Sequence, residues 1–128
     1  MADLKSRTSL TDEYIVNGGN GEVIIDLIIG AMGQSGISII KLDSVVLADE
    51  IIGSLVGFVI GTNKEVENKF LTVTTIITDV SKDSDVTSLD FAIKGGNQPF
   101  KAKMERAVQG EGDSVAYDID IFFHQQLL

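Results

Sequence analysis

Alternating apolar and polar residues predict a β-strand near the carboxyl end of the chain. In the segment 114–123, every residue of one parity is apolar: Val115, Tyr117, Ile119, Ile121 and Phe123. Successive side chains of a strand point to opposite faces of its sheet, so this strand is expected to bury one face. The same kind of pattern along the rest of the chain predicts about eight strands in total, at 8–16, 22–29, 37–47, 50–60, 70–80, 86–94, 100–108 and 114–123.

Glycine and asparagine separate these predicted strands. They cluster at 17–21, 30–36, 95–97 and 110–112, where they supply residues that tolerate positive φ. Turn signals about every 8–12 residues are typical of a sandwich or barrel and not of βαβ units. We therefore predict an all-β fold, a single-domain antiparallel β-sandwich over residues 1–128, jelly-roll or immunoglobulin-like. The cysteine pair and core Trp of antibody domains are absent.

Two segments allow a second interpretation. Residues 99–108 begin with Pro99 and carry apolar residues at helical as well as alternating spacing, so both a helix and a strand are consistent with them. We favour the strand, because Gly110–Asp113 then forms a hairpin turn into the next strand. Residues 62–69 fit either a long hairpin connection or one polar helical turn.

The amino-terminal strands are apolar on both faces. Val23–Ile29 contains six aliphatic residues and one charged residue, Asp26. Only one face of a sheet in a sandwich meets the core, so the second face needs a cover. A neighbouring loop, the chain's own termini or another subunit would each provide one. Because exposed apolar patches usually mark interfaces, we predict a homo-oligomer.

The charge balance argues against polyanionic partners. The chain has 19 acidic and 10 basic residues and a net charge of −9, which repels nucleic acid and anionic lipid. A basic cluster at Lys94, Lys101, Lys103 and Arg106 is diluted by nearby acidic residues, and we interpret it as a solvated strand face. The uncharged stretches 27–40 and 51–63 are shorter than the roughly 20 residues that a spanning helix needs.

Catalytic patterns are incomplete. Gly30–Gly36 follows an apolar strand, but it matches neither the G-x-G-x-x-G spacing nor the Gly-Lys-Ser/Thr pattern of phosphate-binding loops. A nucleophile elbow around Ser35 would need glycine at position 37, where the chain has Ile37. His124 is the one histidine available as a base. Asp118 and Asp120 project from the same strand face roughly 7 Å apart, as paired glycosidase carboxylates can, but strand alternation explains them without chemistry. We therefore expect no enzymatic activity.

A metal site is the chemical alternative. Asp79, Asp83 and Asp85 lie within seven residues at a strand end, and Ca²⁺ prefers oxygen ligands from such loops. The segment lacks the glycine and terminal glutamate of an EF-hand, and Lys82 reduces its negative potential, so the sequence favours an Asp/Ser-rich turn. Apart from this Ca²⁺ hypothesis, no cofactor is expected.

The sequence thus predicts a non-enzymatic β-sandwich that acts through protein–protein association, as an assembly subunit or adaptor. The alternative is a ligand-binding module for Ca²⁺ or carbohydrate at the Asp79–Asp85 turn and its neighbouring loops. The first residues lack the pattern of a secretory signal, so a cytoplasmic location is the default expectation, with secretion left open.

Overall fold

The structure, a computed structural model, describes residues 7–30, 34–79, 86–107 and 112–126. That part of the chain forms nine strands and one helical turn. In chain order the elements are β1 (Arg7–Val16), β2 (Glu22–Ile29), β3 (Gln34–Leu42), β4 (Val45–Ile52), β5 (Leu55–Thr62), α1 (Asn63–Val66), β6 (Phe70–Asp79), β7 (Val86–Lys94), β8 (Phe100–Ala107) and β9 (Ser114–Gln125).

The strands form the two sheets of the predicted β-sandwich. One sheet has five strands in the order β1-β9-β6-β3-β4, and the other has four in the order β5-β2-β7-β8. The described pairs are antiparallel except β1 with β9, which run parallel with Arg7 opposite Ala116 and Val16 opposite Gln125. The carboxyl-terminal strand thus lies inside its sheet, between β1 and β6.

Alternate residues of each sheet fill one core. In β9, burial alternates strictly from Val115 to Phe123, which confirms the pattern that predicted this strand. The largest fully buried side chains are aromatic or aliphatic: Tyr117, Phe91, Phe123, Ile25, Leu27, Ile40, Leu71, Ile77, Leu89, Ile93, Ile119 and Ile121. Burial of each such side chain contributes about 1.5–3 kcal/mol.

A short chain of hydroxyl groups joins the two sheets through the core. Thr87 of β7 donates to the Arg106 carbonyl over 2.9 Å, and its Oγ1 lies 2.6 Å from the Tyr117 hydroxyl of β9. Either hydroxyl can donate in this pair, and the Tyr117 hydroxyl can also donate to the Thr87 carbonyl over 3.2 Å. Both buried hydroxyls are therefore satisfied, which removes the cost of burying them without partners.

Residues 37–60 form parts of three strands where the sequence pattern predicted two. Asp43 and Ser44 make a turn between β3 and β4, and Asp43 adopts a positive φ of 52°. Its carboxylate accepts a hydrogen bond from Phe70 N (2.9 Å), and its own N–H donates to the Phe70 carbonyl (2.7 Å). Aspartate tolerates this conformation better than most residues, so the turn forms without glycine.

The two ambiguous segments are resolved. Residues 100–107 are strand β8, as favoured, with Met104 buried opposite Leu89 of β7. The segment 62–69 contains the helical turn α1. A capping box starts it: Thr62 Oγ1 accepts from Glu65 N (3.1 Å), and Glu65 Oε1 accepts from Thr62 N (2.8 Å).

Candidate association surface

Two edge strands lie on the same side of the sandwich. β4 ends the five-stranded sheet, β5 ends the four-stranded sheet, and only Gly53 and Ser54 connect them. Gly53 N donates to the Gly36 carbonyl (2.9 Å), and Ser54 Oγ accepts from Ile29 N (2.9 Å). These bonds hold the corner where the chain crosses from one sheet to the other.

Exposed apolar side chains concentrate on these two strands. Five of the nine large apolar side chains exposed in the described residues belong to β4 or β5, and we call this set the apolar edge: Val45, Val46, Ile52, Val56 and Val59. Ile52 and Val56 are the most exposed of the nine, at 79% and 69%. Such a concentration differs from the single exposed aliphatics that ordinary protein surfaces carry.

The apolar surface continues onto the outer face of the five-stranded sheet. Ile52 of β4 is paired with Ile37 of β3, which is paired with Ile76 of β6. Ile37 and Ile76 are 48% and 47% exposed. Three isoleucines therefore form a row across neighbouring strands, perpendicular to the chain direction and ending at the apolar edge.

The opposite side of the sandwich has a different character. There β8 carries Lys101, Lys103, Glu105 and Arg106, and β1 carries Asp12 and Glu13. Arg106 Nε also donates to Thr8 Oγ1 (3.4 Å), which bridges the two edge strands. Charged side chains and cross-contacts are the usual protection of sheet edges. β4 and β5 together have two charged residues, Asp49 and Glu50.

Bulges interrupt both strands of the apolar edge. The β3/β4 register shifts between Ser38 and Ile40 and between Ile40 and Lys41, and the β2/β5 register also shifts twice. Glu50 adopts a φ of 54°. In β5, Gly57 adopts a φ of 73°, and its N–H donates to Asp26 Oδ1 (2.8 Å). Asp26, the one charged residue between Val23 and Ile29 of β2, thus fixes a bulge in its neighbour.

The predicted metal ligands are only partly within the described residues. Asp79 is the last residue of β6, paired with Gln34 of β3. Asp83 and Asp85 lie outside the described residues, so the Ca²⁺ hypothesis remains untested. Among the residues that the structure does describe, no group of three or more His, Cys, Asp or Glu side chains is arranged to hold a metal ion.

Asp118 and Asp120 lie on the outer face of the five-stranded sheet. Each accepts a hydrogen bond from a threonine of β6: Asp120 from Thr72 and Asp118 from Thr74, both over 3.2 Å. They therefore form two equivalent cross-strand pairs. Such pairs stabilise neighbouring strands, and their regularity follows from the alternation of β6 and β9.

Ser35 and His124 are far apart. Ser35 pairs with Thr78, which pairs with Ser114, whereas His124 stands ten residues farther along β9, or about 33 Å. His124 Nε2 lies 2.6 Å from Glu13 Oε1, and its ring stacks on Phe122. Gly36 already lies in β3, so a strand and not a helix follows the Gly30–Gly36 segment, and the helix N-terminus that a phosphate-binding loop needs is not formed by residues 34–42.

The basic residues noted in the sequence do not share one face. Lys101 and Lys103 point outward from β8, opposite Ala92 and Asp90 of β7. Arg106 has the opposite parity, shared with the buried Met104, and contacts β1. An acidic residue beside Lys103 and the separate position of Arg106 interrupt the basic stripe that a nucleic-acid backbone requires.

Comparison with protein families, with characterised proteins and with solved structures finds no match to this chain. No helix among the described residues is long and apolar enough to cross a bilayer. The apolar edge is the candidate site that the structure adds. Its sequence signal was the uncharged stretch 51–63, but the pattern alone did not distinguish an edge strand from a buried one.

Proposed function

We propose that this protein acts by associating with further copies of itself through the apolar edge, as a subunit of an assembly. The concentration of exposed Val and Ile on β4 and β5 is the observation that supports this function. The charged residues on β1 and β8 strengthen the proposal, because they protect the opposite edges in the usual way. An edge with few charged residues and many exposed apolar side chains is expected where side-chain contact is useful.

The size of the apolar edge fits a moderately stable contact. Complete burial of a Val or Ile side chain contributes about 1.5–3 kcal/mol, and each of these side chains is already partly buried. Association costs roughly 4–15 kcal/mol in lost freedom of motion. Five side chains from each copy, together with Ile37 and Ile76, can offset a cost of that size.

A second copy is a suitable partner on symmetry grounds. A two-fold axis through the apolar edge brings the same patch of both molecules together, so every apolar side chain meets an apolar surface. No second type of surface is then required. The net charge of −9 keeps the rest of the molecule soluble and limits contact to the one face that has few charges.

Sedimentation velocity at tens of micromolar tests the proposal. The wild-type chain is expected to sediment as an oligomer, and the double variant I52D/V56D as a monomer with an unchanged circular dichroism spectrum. Ile52 and Val56 are largely exposed, so aspartate at these positions removes the contact without entering the core. A wild-type chain that is monomeric at this concentration would rule out the proposed assembly.

The variant V86D is the matched control. Val86 is also an exposed valine, at 43%, but it lies at the start of β7, away from β4 and β5. It introduces the same kind of charge without touching the apolar edge. We expect V86D to retain the wild-type mass, and equal dissociation of V86D and I52D/V56D would contradict the assigned location.

A further inference from the structure

The apolar edge combines features that favour contact with features that oppose strand pairing. β4 is an edge strand, and such strands present unpaired N–H and C=O groups that can join the edge of another molecule. From the end of β4 into β5, residues Ile51–Ile60 carry no charge and are mostly apolar, which is typical of segments that form cross-β structure. Side-chain contact between two edges would therefore place two aggregation-prone strands side by side.

We propose that Asp49 and Glu50 prevent the β4 strands of two copies from joining into one continuous sheet. Contact through the apolar edge is then restricted to side chains and ends in a closed assembly. This inference goes beyond the proposed function, because it applies to any two copies that meet edge to edge, whether or not assembly is their role.

Antiparallel pairing about a two-fold axis shows how the two carboxylates act. The axis keeps each side chain on its own face of the sheet, so residues opposite each other have the same parity. In the register that overlaps most of β4 their numbers add to 98, so Asp49 directly faces the partner's Asp49. Glu50 is then the diagonal neighbour of the partner's Glu50 on the other face, at about 7–8 Å, and two pairs of carboxylates lie near the axis.

Other registers do not remove the conflict. A shift of two residues toward Ile52 sets Glu50 directly opposite the partner's Glu50 and leaves the two Asp49 residues as diagonal neighbours. A shift of two residues toward Val45 also keeps the two Asp49 residues diagonal, and it sets Asp49 and Glu50 against the partner's Leu47 and Val46. Each charge then loses water without gaining a partner.

A lysine on the neighbouring strand compensates the two carboxylates only in part. Lys41 is paired with Val46, but it lies on β3, one strand farther from the edge. Two strand spacings, about 9–10 Å, would separate it from a strand paired on β4, which is near the distance at which salt screens charges. The carboxylates of a paired strand would be closer to each other than to this lysine.

The backbone of β4 supports the same role. Glu50 is in the left-handed region with a φ of 54°, and bulges interrupt the β3/β4 register. A bulge bends the strand and breaks the regular row of edge groups that a paired strand needs. Both exposed acids are therefore carried by the part of β4 that is least able to continue a ladder.

The double variant D49N/E50N tests the assignment. Asparagine removes both charges and tolerates the left-handed conformation, so the bulge is retained. We expect this variant to grow by light scattering to masses above that of the wild type, to increase thioflavin T fluorescence, and to give the 4.7–4.8 Å fibre reflection. A variant that stays at the wild-type mass would overturn the proposal.

Two further variants make the result specific. E22Q/D90N changes the net charge by the same two units, from −9 to −7, at exposed residues of β2 and β7, outside β4 and β5, and it is expected to keep the wild-type mass. Equal growth of E22Q/D90N would assign the effect to net charge and refute a role for position.

Adding V45K to D49N/E50N tests whether growth proceeds through strand pairing. Growth is expected to stop, because a lysine on an edge strand blocks pairing with another chain. Aggregation that is caused by unfolding would persist in the triple variant, and that result would contradict the proposal. A monomeric wild type would remove the assembly function and leave this test unaffected.

Discussion

Single buried polar residues connect parts of the chain that are distant in sequence. Asn63 is fully buried at the start of α1, and its side-chain amide donates to the carbonyls of Gly21 and Gly95, both over 2.9 Å. Its Oδ1 accepts from Asn17 N over 3.1 Å. One side chain thus joins the β1–β2 and β7–β8 connections to the helical turn.

Replacing Asn63 by alanine is expected to destabilise the protein by about 2–4 kcal/mol, because Asn17 N and the Gly95 carbonyl lose their partner in a buried site. Asn63→Asp should cost at least as much, since its carboxylate would face two carbonyls. Urea unfolding measures both. Asn97→Ala is the control: its amide is exposed and its bond to Gln126 is long, at 3.4 Å, so a change within about 0.5 kcal/mol is expected. Similar losses for Asn63 and Asn97 would show that the amide network does not stabilise this end.

The two tyrosines predict a specific response to alkali. Burial raises the pKa of Tyr117 above 10.0, despite the hydrogen bond with Thr87, and burial likewise raises the pKa of Tyr14, whose hydroxyl accepts from Gly96 N. The unfolded chain ionises first as pH rises. The stabilisation by the protonated phenols is therefore complete below pH 10.0 and is lost as pH rises toward the pKa values of the folded state.

Phenolate absorbance provides the measurement, because the chain has two Tyr and no Trp. At pH 10.0, the folded protein should show less phenolate than the protein in urea, where about half of the tyrosine is ionised. The variants Y14F and Y117F assign the signal to each residue. Equal absorbance in the folded and unfolded states at this pH would contradict the burial of both hydroxyls.

At the scale of elements, the connection between β7 and β8 passes too close to β2 to accept a side chain. Gly95 has a φ of 104°, and a Cβ there would overlap the Glu22 carbonyl. Gly112, between β8 and β9, has a similar φ of 94°, but no atom of the described residues lies within 4 Å of the position that its Cβ would take. The two glycines separate the effect of backbone conformation from that of crowding.

Gly95→Ala is expected to lower the free energy of unfolding by about 2–5 kcal/mol, because alanine is unfavourable both in the left-handed conformation and in the overlap with β2. Gly112→Ala should cost about 1–2 kcal/mol, from conformation alone. Thermal or urea unfolding of the two variants gives the comparison. Equal destabilisation would mean that β2 moves aside without a cost in free energy.

Strands could be predicted where every second residue is apolar and buried. The strict alternation of Val115–Phe123 identified β9, and the same alternation favoured a strand at residues 100–108. The turn at Asp43–Ser44 was missed because it contains no glycine and interrupts a mostly apolar run. Its geometry depends on hydrogen bonds to Phe70, which is far away in sequence.

At the scale of the whole molecule, strand order could not be predicted. Nothing local indicates that β4 and β5 end their sheets while the equally aliphatic β2 is central. The sequence therefore indicated an apolar interface broadly, across residues 23–60, and could not single out Ile52 and Val56, the most exposed apolar side chains of the described residues. Asn63 was missed for a related reason, since its three partners come together only in the folded chain.

The parallel pairing of β1 and β9 also determines how this molecule can be joined to others. Both strands run the same way, so the backbone enters β1 beside Ala116 and leaves β9 at Gln125, roughly 30 Å away along the strands. Fusion partners placed before β1 and after β9 would therefore extend from opposite poles. Copies linked in tandem by short spacers would form a string along the strand direction, and a circularly permuted chain would need a linker long enough to cover the full height of the sandwich.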